Sequence, residues 1–329
     1  MRPIAIVTGA SHGIGAATAR LFAAEGYDVC INYLSDAAAA SRVVDDCKAA
    51  GARAVAVQGD MGKIEDIQAL FSACDDALGR VTCLVNNAGI IGSACRIEDL
   101  QPATLERTFR VNVFGVMYCI QEAAKRMSTR RGGKGGAIVN MSSLAAYLGS
   151  PNEYVHYAAS KGAVESISIG AGKELAPEGI RVNAIRVGTT NTRIHTQGGN
   201  PERPARIAAV TPMGRIAEPE DIARATLWLA SPGSGFVTGT LITVSGGSDA
   251  PIASPRPGSW PGSWRSLQIP LGIARYRIGA ARRGATPTGA SNCNSASAGR
   301  AFSLHRPSAS SGQYERESGA AQEYGGAST

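Results

Sequence analysis

Tyr157 and Lys161 stand four residues apart in the segment Tyr-Ala-Ala-Ser-Lys. Residues i and i+4 of a helix share one face, so the phenol and the ammonium group can be neighbours there. A nearby positive charge favours phenolate and lowers the tyrosine pKa from its reference value of about 10. A tyrosine tuned in this way can give or take a proton at an alcohol or carbonyl oxygen. The pair alone decides little, because Tyr and Lys at this spacing recur by chance on exposed helices.

A glycine-rich turn follows the first apolar run of the chain. Residues 4–7 lead directly into Thr8-Gly9-Ala10-Ser11-His12-Gly13-Ile14-Gly15 and then into a helical pattern. Glycine allows positive φ and a close backbone approach to a ligand, and the N-terminus of a helix offers N–H donors and partial positive charge. A strand, such a turn and a helix in this order predict a pyrophosphate site; the alternative is a tight turn without a ligand.

Residues 3–247 alternate between short β-branched apolar runs and longer helical patterns. The runs predict seven strands, at residues 4–8, 28–33, 54–58, 81–86, 137–141, 181–186 and 241–244. The helical patterns lie near residues 13–25, 36–50, 63–78, 102–128, 154–176 and 218–231. Apolar strands that alternate with helices indicate a parallel sheet covered on both faces. We therefore expect a doubly wound α/β fold.

The positive charge of the chain is concentrated at one end. The 329 residues carry a formal net charge of +7, and residues 251–329 hold nine arginines against three glutamates. The remaining 250 residues contain 24 basic and 23 acidic groups. A nearly neutral body gives no reason to expect nucleic acid or a membrane as partner. Since no stretch approaches eighteen uninterrupted apolar residues, we expect a soluble cytoplasmic protein.

The seven cysteines and four histidines do not form a metal-binding or disulfide pattern. No cysteine pair has CxxC spacing, and the histidines are far apart. Five cysteines fall in apolar or helical patterns, which predicts buried thiols; they are Cys30, Cys47, Cys74, Cys83 and Cys119. We expect no metal ion.

The composition changes after Gly247 and predicts two regions. Residues 1–250 form the domain with strands and helices, whereas 44 of the residues in 251–329 are Gly, Ala, Ser or Pro. A segment of this kind buries too little apolar surface to offset its ordering entropy, so we expect a disordered tail. Its arginines belong to no recognisable nucleic-acid-binding module.

Four motifs in order resemble the short-chain dehydrogenase/reductase family. They are the Thr8–Gly15 turn, Asn86-Asn87-Ala88-Gly89, the Ser–Tyr-x-x-x-Lys pattern and Thr238-Gly239 with Ser245-Gly246-Gly247. The resemblance covers residues 3–249 and is closest to the compact members of the family. It implies a Rossmann fold of seven parallel strands and NAD(P)-dependent interconversion of alcohols and carbonyls without a metal. It also implies a homo-oligomer, commonly a tetramer.

The resemblance implies a role for each catalytic residue. Tyr157 would be the general acid/base, and Lys161 would lower its pKa and hold the nicotinamide ribose. Asn112 would kink a helix and link the lysine to a proton-relay water; the alternative is an ordinary polar helix residue. Ser143 would bind the substrate oxygen, although the family usually places this serine one residue closer to the tyrosine, and Ser142 remains an alternative. Tyr154 lacks a lysine at i+4 and is set aside.

The predicted cofactor contacts come from the glycine-rich turn, the ends of the strands and the catalytic helix. They are Gly9, Ser11, His12, Gly13, Ile14, Gly15, Asn32, Tyr33, Asp60, Met61, Asn87, Ala88, Gly89, Tyr157, Lys161, Val187, Gly188 and Thr190. Val187 stands where the family usually has proline, which predicts a looser turn beneath the nicotinamide.

Cofactor choice rests on the end of the second strand. A carboxylate there selects NAD, and a cation accepts the 2′-phosphate of NADP. Tyr33 occupies the position of the carboxylate, Leu34 supplies no cation, and His12 replaces the arginine of many NADP users. Asn32, Tyr33 and Ser35 can donate hydrogen bonds to a phosphate. The sequence therefore favours NADP over NAD.

Residues 191–214 are polar and interrupted by Gly and Pro, which is typical of a loop. We expect a substrate lid with a short helix near residues 202–210. Arg193 and His195 would meet a polar or anionic substrate, or simply face solvent.

The sequence as a whole predicts an oxidoreductase acting on a small alcohol or ketone. The alternative is a Rossmann protein that binds dinucleotides or regulates with little turnover.

Overall fold

The computed structural model describes residues 2–192 and 203–249. The predicted tail lies outside the described residues, and so do Arg193 and His195. Side chains are described in these ranges except at positions 203 and 204.

Seven parallel strands form one sheet in the described part of the chain. They are β1 (Ile4–Val7), β2 (Asp28–Tyr33), β3 (Ala54–Gln58), β4 (Cys83–Asn86), β5 (Gly136–Ser143), β6 (Ile180–Val187) and β7 (Leu241–Val244). The strand order is β3-β2-β1-β4-β5-β6-β7. The order reverses between β2 and β4, on the two sides of β1, where Val7 pairs with both Ile31 and Val85. The predicted doubly wound Rossmann fold is confirmed.

Helices connect the strands and cover both faces of the sheet. They are α1 (Gly13–Ala24), α2 (Ala37–Ala49), α3 (Ile64–Ala77), α4 (Pro102–Phe109), α5 (Gly115–Met127), α6 (Ala145–Leu148), α7 (Val155–Leu175), α8 (Arg203–Ala208) and α9 (Pro219–Ala230). The short helix predicted near residues 202–210 is present as the shorter α8; its role as a substrate lid stays a prediction. The fourth strand is shorter than predicted, and the fifth and sixth are longer.

One predicted helix is interrupted. The pattern over residues 102–128 is divided into α4 and α5 by a π-helical turn at Arg110–Phe114. Asn112 lies inside this turn and is fully buried. Its side chain bonds the backbone of Ile90. Apolar spacing on either side of the turn is helical, so periodicity alone cannot reveal the extra residue.

The core consists of two apolar layers, one on each face of the sheet. Val7 and Ile31 lie with Phe22 and Ile222 on the face covered by α1, α2 and α9. Ile6 lies on the opposite face, which α3, α5 and α7 cover. Successive strand residues point to opposite faces, which produces this division. All five cysteines predicted to be buried lie in these layers as thiols.

Among the described residues, no helix has the length and apolar character needed to cross a membrane.

Candidate active site

A cleft of about 730 Å³ opens at the carboxyl edge of the sheet. Its lining includes residues that follow β1, β2, β3, β4, β5 and β6. It lies where the strand order reverses, which is where open α/β sheets bind their ligands. The position of the cleft thus agrees with the motifs.

The glycine-rich turn approaches the loop after β4 so closely that side chains are excluded. Gly9 has φ of +61°, and a Cβ there would lie 2.9 Å from the Cα of Ala88. A Cβ on Gly15 would lie 2.5 Å from Nδ2 of Asn87. α1 begins at Gly13, and the side chain of His12 at its N-cap does not cap it. The turn and the beginning of α1 therefore present backbone to the cleft, as pyrophosphate binding requires.

Two asparagines hold this turn in place. Asn32 accepts a hydrogen bond from the N–H of Gly9 (3.1 Å) and donates to the carbonyl of Gly59 (2.9 Å). Asn87 donates to the carbonyls of Thr8 (2.8 Å) and Gly9 (3.0 Å). Both residues border the cleft. Their amides already have protein partners, so they shape the turn before any ligand binds.

Sixteen of the eighteen predicted cofactor contacts line the cleft. They are Gly9, Ser11, His12, Gly13, Ile14, Asn32, Asp60, Met61, Asn87, Ala88, Gly89, Tyr157, Lys161, Val187, Gly188 and Thr190. Their individual roles in cofactor binding stay predictions. Gly15 lies behind the lining, packed on Asn87.

Tyr33 does not line the cleft. It packs on the core layer of α1 and α2 and borders a separate shallow depression beside Ala37 and Lys48. Strand side chains alternate in direction. Asn32 faces the cleft, so its neighbour Tyr33 points away from it. Leu34 and the residues after it take the place predicted for Tyr33.

A carboxylate that the sequence argument missed lies at this end of the cleft. Asp36 lines it, and its Oδ2 is 3.1 Å from Nε2 of His12. Asp36 also caps α2 by accepting from the N–H of Ala39 (2.9 Å). The sequence did contain a signal for Asp36: it stands at the predicted beginning of a helix, and aspartate is a favoured N-cap residue.

Arg107 is a second residue that sequence reasoning missed. It extends from α4 and forms a two-bonded ion pair with Asp60, at 2.9 and 3.0 Å. Burial would raise the pKa of Asp60. The hydrogen bonds from Arg107 and from the N–H of Gly62, with the charges of Arg107 and Lys63, outweigh burial and hold this pKa below its usual value. Asp60 is therefore an anion that Arg107 fixes in one position at the cleft.

The predicted acid/base pair lies at the beginning of α7. Nζ of Lys161 is 5.7 Å from the centre of the Tyr157 ring and donates to the carbonyl of Met141 at 2.7 Å. Lys161 is buried, and burial lowers its pKa from 10.5 to about 8. It therefore still carries its charge near neutral pH. The half-buried Tyr157 borders the cleft beside this charge.

The two candidate serines have different surroundings. Ser142 is buried, and its Oγ lies 2.9 Å from a carboxylate oxygen of Glu165 and 3.3 Å from the carbonyl of Lys161. Ser143 is half-buried, and its Oγ accepts from the N–H of Ala145 (3.1 Å). Both border the cleft. The hydroxyl hydrogen of Ser142 has an anionic acceptor within the protein, so the geometry favours Ser143 as the partner of a substrate oxygen, which stays a prediction.

Asn112 connects the loop after β4 with α7, the helix of Tyr157 and Lys161. Its amide exchanges two hydrogen bonds with the backbone of Ile90, at 2.8 and 2.9 Å, and donates to Oγ of Ser160 (3.0 Å). The π-turn agrees with the predicted helix irregularity. The predicted proton-relay water is not tested by these contacts.

An ion pair connects α7 with β6. Nε and one terminal nitrogen of Arg186 each lie 2.6 Å from a carboxylate oxygen of Glu165. Glu165 is one turn after Lys161 and also accepts from Ser142. Sequence reasoning missed this pair because its members are 21 residues apart on different elements. The pair joins the helix of Lys161 to the strands on which Ser143 and Val187 lie.

Val187 ends β6 in an extended position. Its carbonyl accepts from the N–H of Leu144 (2.9 Å), and the next residue, Gly188, donates to the carbonyl of Val244 (2.9 Å). The strand thus continues through the position where the family usually has proline. The looser turn stays a prediction.

Comparisons with known proteins find a matching family model and similar relatives. The family model described as Enoyl-(Acyl carrier protein) reductase matches residues 9–249. An uncharacterized oxidoreductase, YgfF of Escherichia coli (strain K12), is 45% identical over 244 residues, which cover 74% of this chain and 99% of the relative. The 3beta-hydroxysteroid dehydrogenase 1 of Eggerthella lenta is 40% identical, with 74% and 92% covered.

A solved structure is also similar. The blue fluorescent protein from a metagenomic library, in complex with NADPH, has a TM-score of 0.69 and 33% sequence identity. The match covers 75% of this chain and 98% of that protein.

Replacing Arg186 with Met should destabilise the protein by about 3 kcal/mol, because it leaves the largely buried carboxylate of Glu165 without its cation. The double variant Arg186→Met/Glu165→Gln should recover most of that loss, since a neutral amide can still accept from Ser142. Urea unfolding measures both. Arg215→Met, which breaks the more exposed pair with Asp221, is the matched control and should cost at most about 1 kcal/mol. A double variant no more stable than the single one would contradict this reading.

Replacing Lys161 with Met should change how stability depends on pH. The folded pKa of about 8 lies below the ordinary 10.5, so the unfolded chain holds more protons between these values. Wild-type stability therefore gains about 3 kcal/mol from this residue as pH rises from about 7 to about 10.5, and the variant lacks that gain. Urea unfolding without dinucleotide, at several pH values, measures the difference. The control is Lys173→Met, at an exposed position of the same helix, and its free energy of unfolding should depend on pH as that of the wild type does. The same pH dependence in Lys161→Met would refute the lowered pKa of Lys161.

Proposed function

Because this chain belongs to the short-chain dehydrogenase/reductase family, we propose that it interconverts an alcohol and a carbonyl with NAD(P) at a site formed by Ser143, Tyr157 and Lys161. The observation that carries the proposal is the buried ammonium of Lys161, 5.7 Å from the centre of the Tyr157 ring in a cleft at the carboxyl edge of the sheet. The substrate would be a small alcohol or ketone; no nucleic acid or membrane is proposed as partner.

The residues of the cleft fit a dinucleotide. The glycines of the first turn leave a cradle that a Cβ would fill, and the N-terminus of α1 faces it. When bound, the nicotinamide supplies or accepts the hydride at the carbonyl carbon. In reduction, Tyr157 gives its proton to the carbonyl oxygen, and in oxidation it takes the proton back. Lys161 stabilises the phenolate, while Ser143 holds the substrate oxygen by a hydrogen bond.

The fixed positions of these groups account for their joint action. Lys161 is tied to β5 through the carbonyl of Met141, and Ser143 lies two residues further along the same strand. Asn112 and Ser160 tie α7 to the loop after β4. A proton donor and an oxygen-binding hydroxyl held on one rigid frame need little reorganisation when the substrate binds.

We propose NADP as the preferred cofactor, with NAD as the alternative. A similar solved structure, the blue fluorescent protein, contains NADPH. The Asp36 carboxylate opposes the 2′-phosphate, and the imidazole of His12 at 3.1 Å offsets this when protonated. From the family resemblance alone, we also propose that the protein forms a homo-oligomer, either a tetramer or a dimer, and that it is cytoplasmic.

Replacing Tyr157 with Phe should abolish turnover without abolishing cofactor binding. Loss of the proton donor should lower kcat between about 10² and 10⁴-fold. The assay follows NADPH oxidation at 340 nm by the full chain with a panel of aldehydes, ketones and quinones, and fluorescence titration gives the Kd of NADPH. Tyr118→Phe, a tyrosine on α5 outside the cleft lining, is the matched control and should keep its activity.

Two results of this experiment would count against the proposal. Undiminished turnover in Tyr157→Phe would remove Tyr157 from the chemistry. Tight NADPH binding by the wild type with no turnover of any carbonyl would favour the alternative, a dinucleotide-binding or regulatory protein.

Replacing Asp36 with Asn should tighten NADP binding roughly tenfold, about 1.4 kcal/mol, and leave NAD binding unchanged. The amide keeps the helix cap but removes the charge that opposes the 2′-phosphate. Titration with each dinucleotide measures the two Kd values. Asp46→Asn, an exposed position on the same helix, should change neither. An equal change for NAD and NADP would place Asp36 away from the 2′-phosphate.

A further inference from the structure

One end of the cleft lies over strands that do not carry the proposed chemistry. The sheet order is β3-β2-β1-β4-β5-β6-β7, and the glycine-rich turn follows β1. Ser143 lies on β5, and Tyr157 and Lys161 lie on α7. A dinucleotide with its pyrophosphate at that turn and its nicotinamide beside Tyr157 therefore extends its adenosine over the ends of β2 and β3.

Asp60 lies on the β3 side of this end. It comes shortly after β3, one strand beyond β2, whose end holds the ribose in folds of this type. Asp60 lines the cleft, and 17% of its side chain is accessible. Burial raises the pKa of this carboxyl, but the hydrogen bonds from Arg107 and from the N–H of Gly62, with the charges of Arg107 and Lys63, hold it below its usual value. An ionised carboxylate is thus available where the base of a bound dinucleotide would lie.

The two oxygens of this carboxylate differ in what the described residues leave open. An ionised carboxylate has about four lone-pair directions, two on each oxygen. Oδ1 of Asp60 accepts from the N–H of Gly62 (2.8 Å) and from Nη2 of Arg107 (3.0 Å). Oδ2 faces Nη1 of Arg107 at 2.9 Å. Both directions on Oδ1 are therefore taken, and a hydrogen-bond donor of a ligand has to reach Oδ2.

Arg107 determines the direction in which Oδ2 points. Its guanidinium spans both carboxylate oxygens, and a planar fork of this kind fixes the rotation of a carboxylate, which a single ammonium group does not. Residue 62 is a glycine that makes room for this fork, since a Cβ there would lie 2.6 Å from Nη1 of Arg107. Without the guanidinium, the N–H of Gly62 is the described contact that still holds the carboxylate.

We propose that Arg107 is a positioning residue for recognition of the cofactor's base. By fixing Oδ2 of Asp60, it makes the site select adenine, whose amino group donates a hydrogen bond, over a purine that has a carbonyl oxygen in its place. This inference rests on the proposed function and specifies how the same site recognises its cofactor. Arg107 acts through Asp60.

Dinucleotides that contain hypoxanthine test this proposal. Hypoxanthine has a carbonyl oxygen where adenine has its amino group, and it carries a hydrogen on the adjacent ring nitrogen N1. A carboxylate fixed towards the amino group meets that carbonyl oxygen, whereas a carboxylate that is free to turn can accept from N1–H instead. The discrimination between the two bases therefore reports how firmly Asp60 is held.

Fluorescence titration of the full chain with NADPH and with its reduced hypoxanthine analogue gives two Kd values. In the wild type, the Kd of the analogue should exceed that of NADPH at least about tenfold, as expected for one hydrogen bond to a charged group. In Arg107→Met this ratio should fall to about three or less, because Asp60 can turn. The lost positive charge weakens both dinucleotides alike and cancels in the ratio. NADH and its hypoxanthine analogue should give the same pattern, so the result does not depend on the choice between NADP and NAD.

A second variant displaces the guanidinium and keeps its charge. Gly62→Ala retains the N–H that bonds Asp60, but its Cβ would lie 2.6 Å from Nη1 and forces the fork of Arg107 away. The ratio of the two Kd values should fall at least about threefold in this variant. Arg130→Met is the matched control. It removes the cation of another ion pair, whose carboxylate on Glu178 is similarly buried at 16% accessibility, and both residues lie outside the described lining of the cleft. Its ratio should equal that of the wild type.

A wild-type ratio near one, an unchanged ratio in Arg107→Met, or an equal fall in Arg130→Met overturns the inference. If Arg107→Met does not fold, the ratio in Gly62→Ala decides alone.

Failure of the proposed function gives a different result from failure of this inference. If the ratios are as expected and no carbonyl compound is reduced, the inference stands and the enzymatic function is wrong. If carbonyl compounds are reduced in a manner that Tyr157→Phe abolishes, but the ratios are near one, only the role of Arg107 is wrong. A wild type that binds no dinucleotide overturns both.

Discussion

The ammonium group of Lys161 is held out of water, and the site proposed for Tyr157 and Ser143 depends on how the fold stabilises a charge there. Burial opposes the charge and lowers the pKa of Lys161 to about 8, and the ammonium donates a hydrogen bond to the carbonyl of Met141 at 2.7 Å. That carbonyl lies near the end of β5, two residues before Ser143. One strand therefore fixes both the cation beside Tyr157 and the hydroxyl proposed to hold the substrate oxygen.

The helix α7, which carries Tyr157 and Lys161, is held from two directions. Asn112 binds Ser160 from the side of the loop after β4, and Glu165 binds Ser142 and Arg186 from the side of β5 and β6. These contacts lie on either side of Lys161 along the helix. Contacts on two sides of a helix oppose its rotation about its axis. These polar contacts thereby help to fix the part of α7 from which Tyr157 extends.

The sequence was sufficient to predict the sheet and the helix that carries Tyr157 and Lys161, because apolar periodicity and i,i+4 spacing are local properties. It was not sufficient for contacts between distant elements. Arg107 reaches Asp60 across 47 residues, and only the packed fold brings them together. Tyr33 shows a different limit. The position of Tyr33 in the sequence predicted a contact with the cofactor. Because strand side chains alternate in direction, its side chain points to the other face of the sheet. A sequence motif does not specify that direction.

The π-turn at Arg110–Phe114 has a consequence for how this chain tolerates changes in length. A π-turn contains one residue more than a regular helical turn, and each residue of an α-helix advances it by about 100°. The single extra residue of the π-turn therefore determines which face of α5 is turned towards the core. That face carries Cys119, Ile120 and Ala123. Deleting one residue from the turn would make the backbone more regular and yet direct polar side chains of α5 into the core. Among functional variants of this chain, deletions in the π-turn should therefore be far rarer than substitutions, although the turn is less regular than an α-helix.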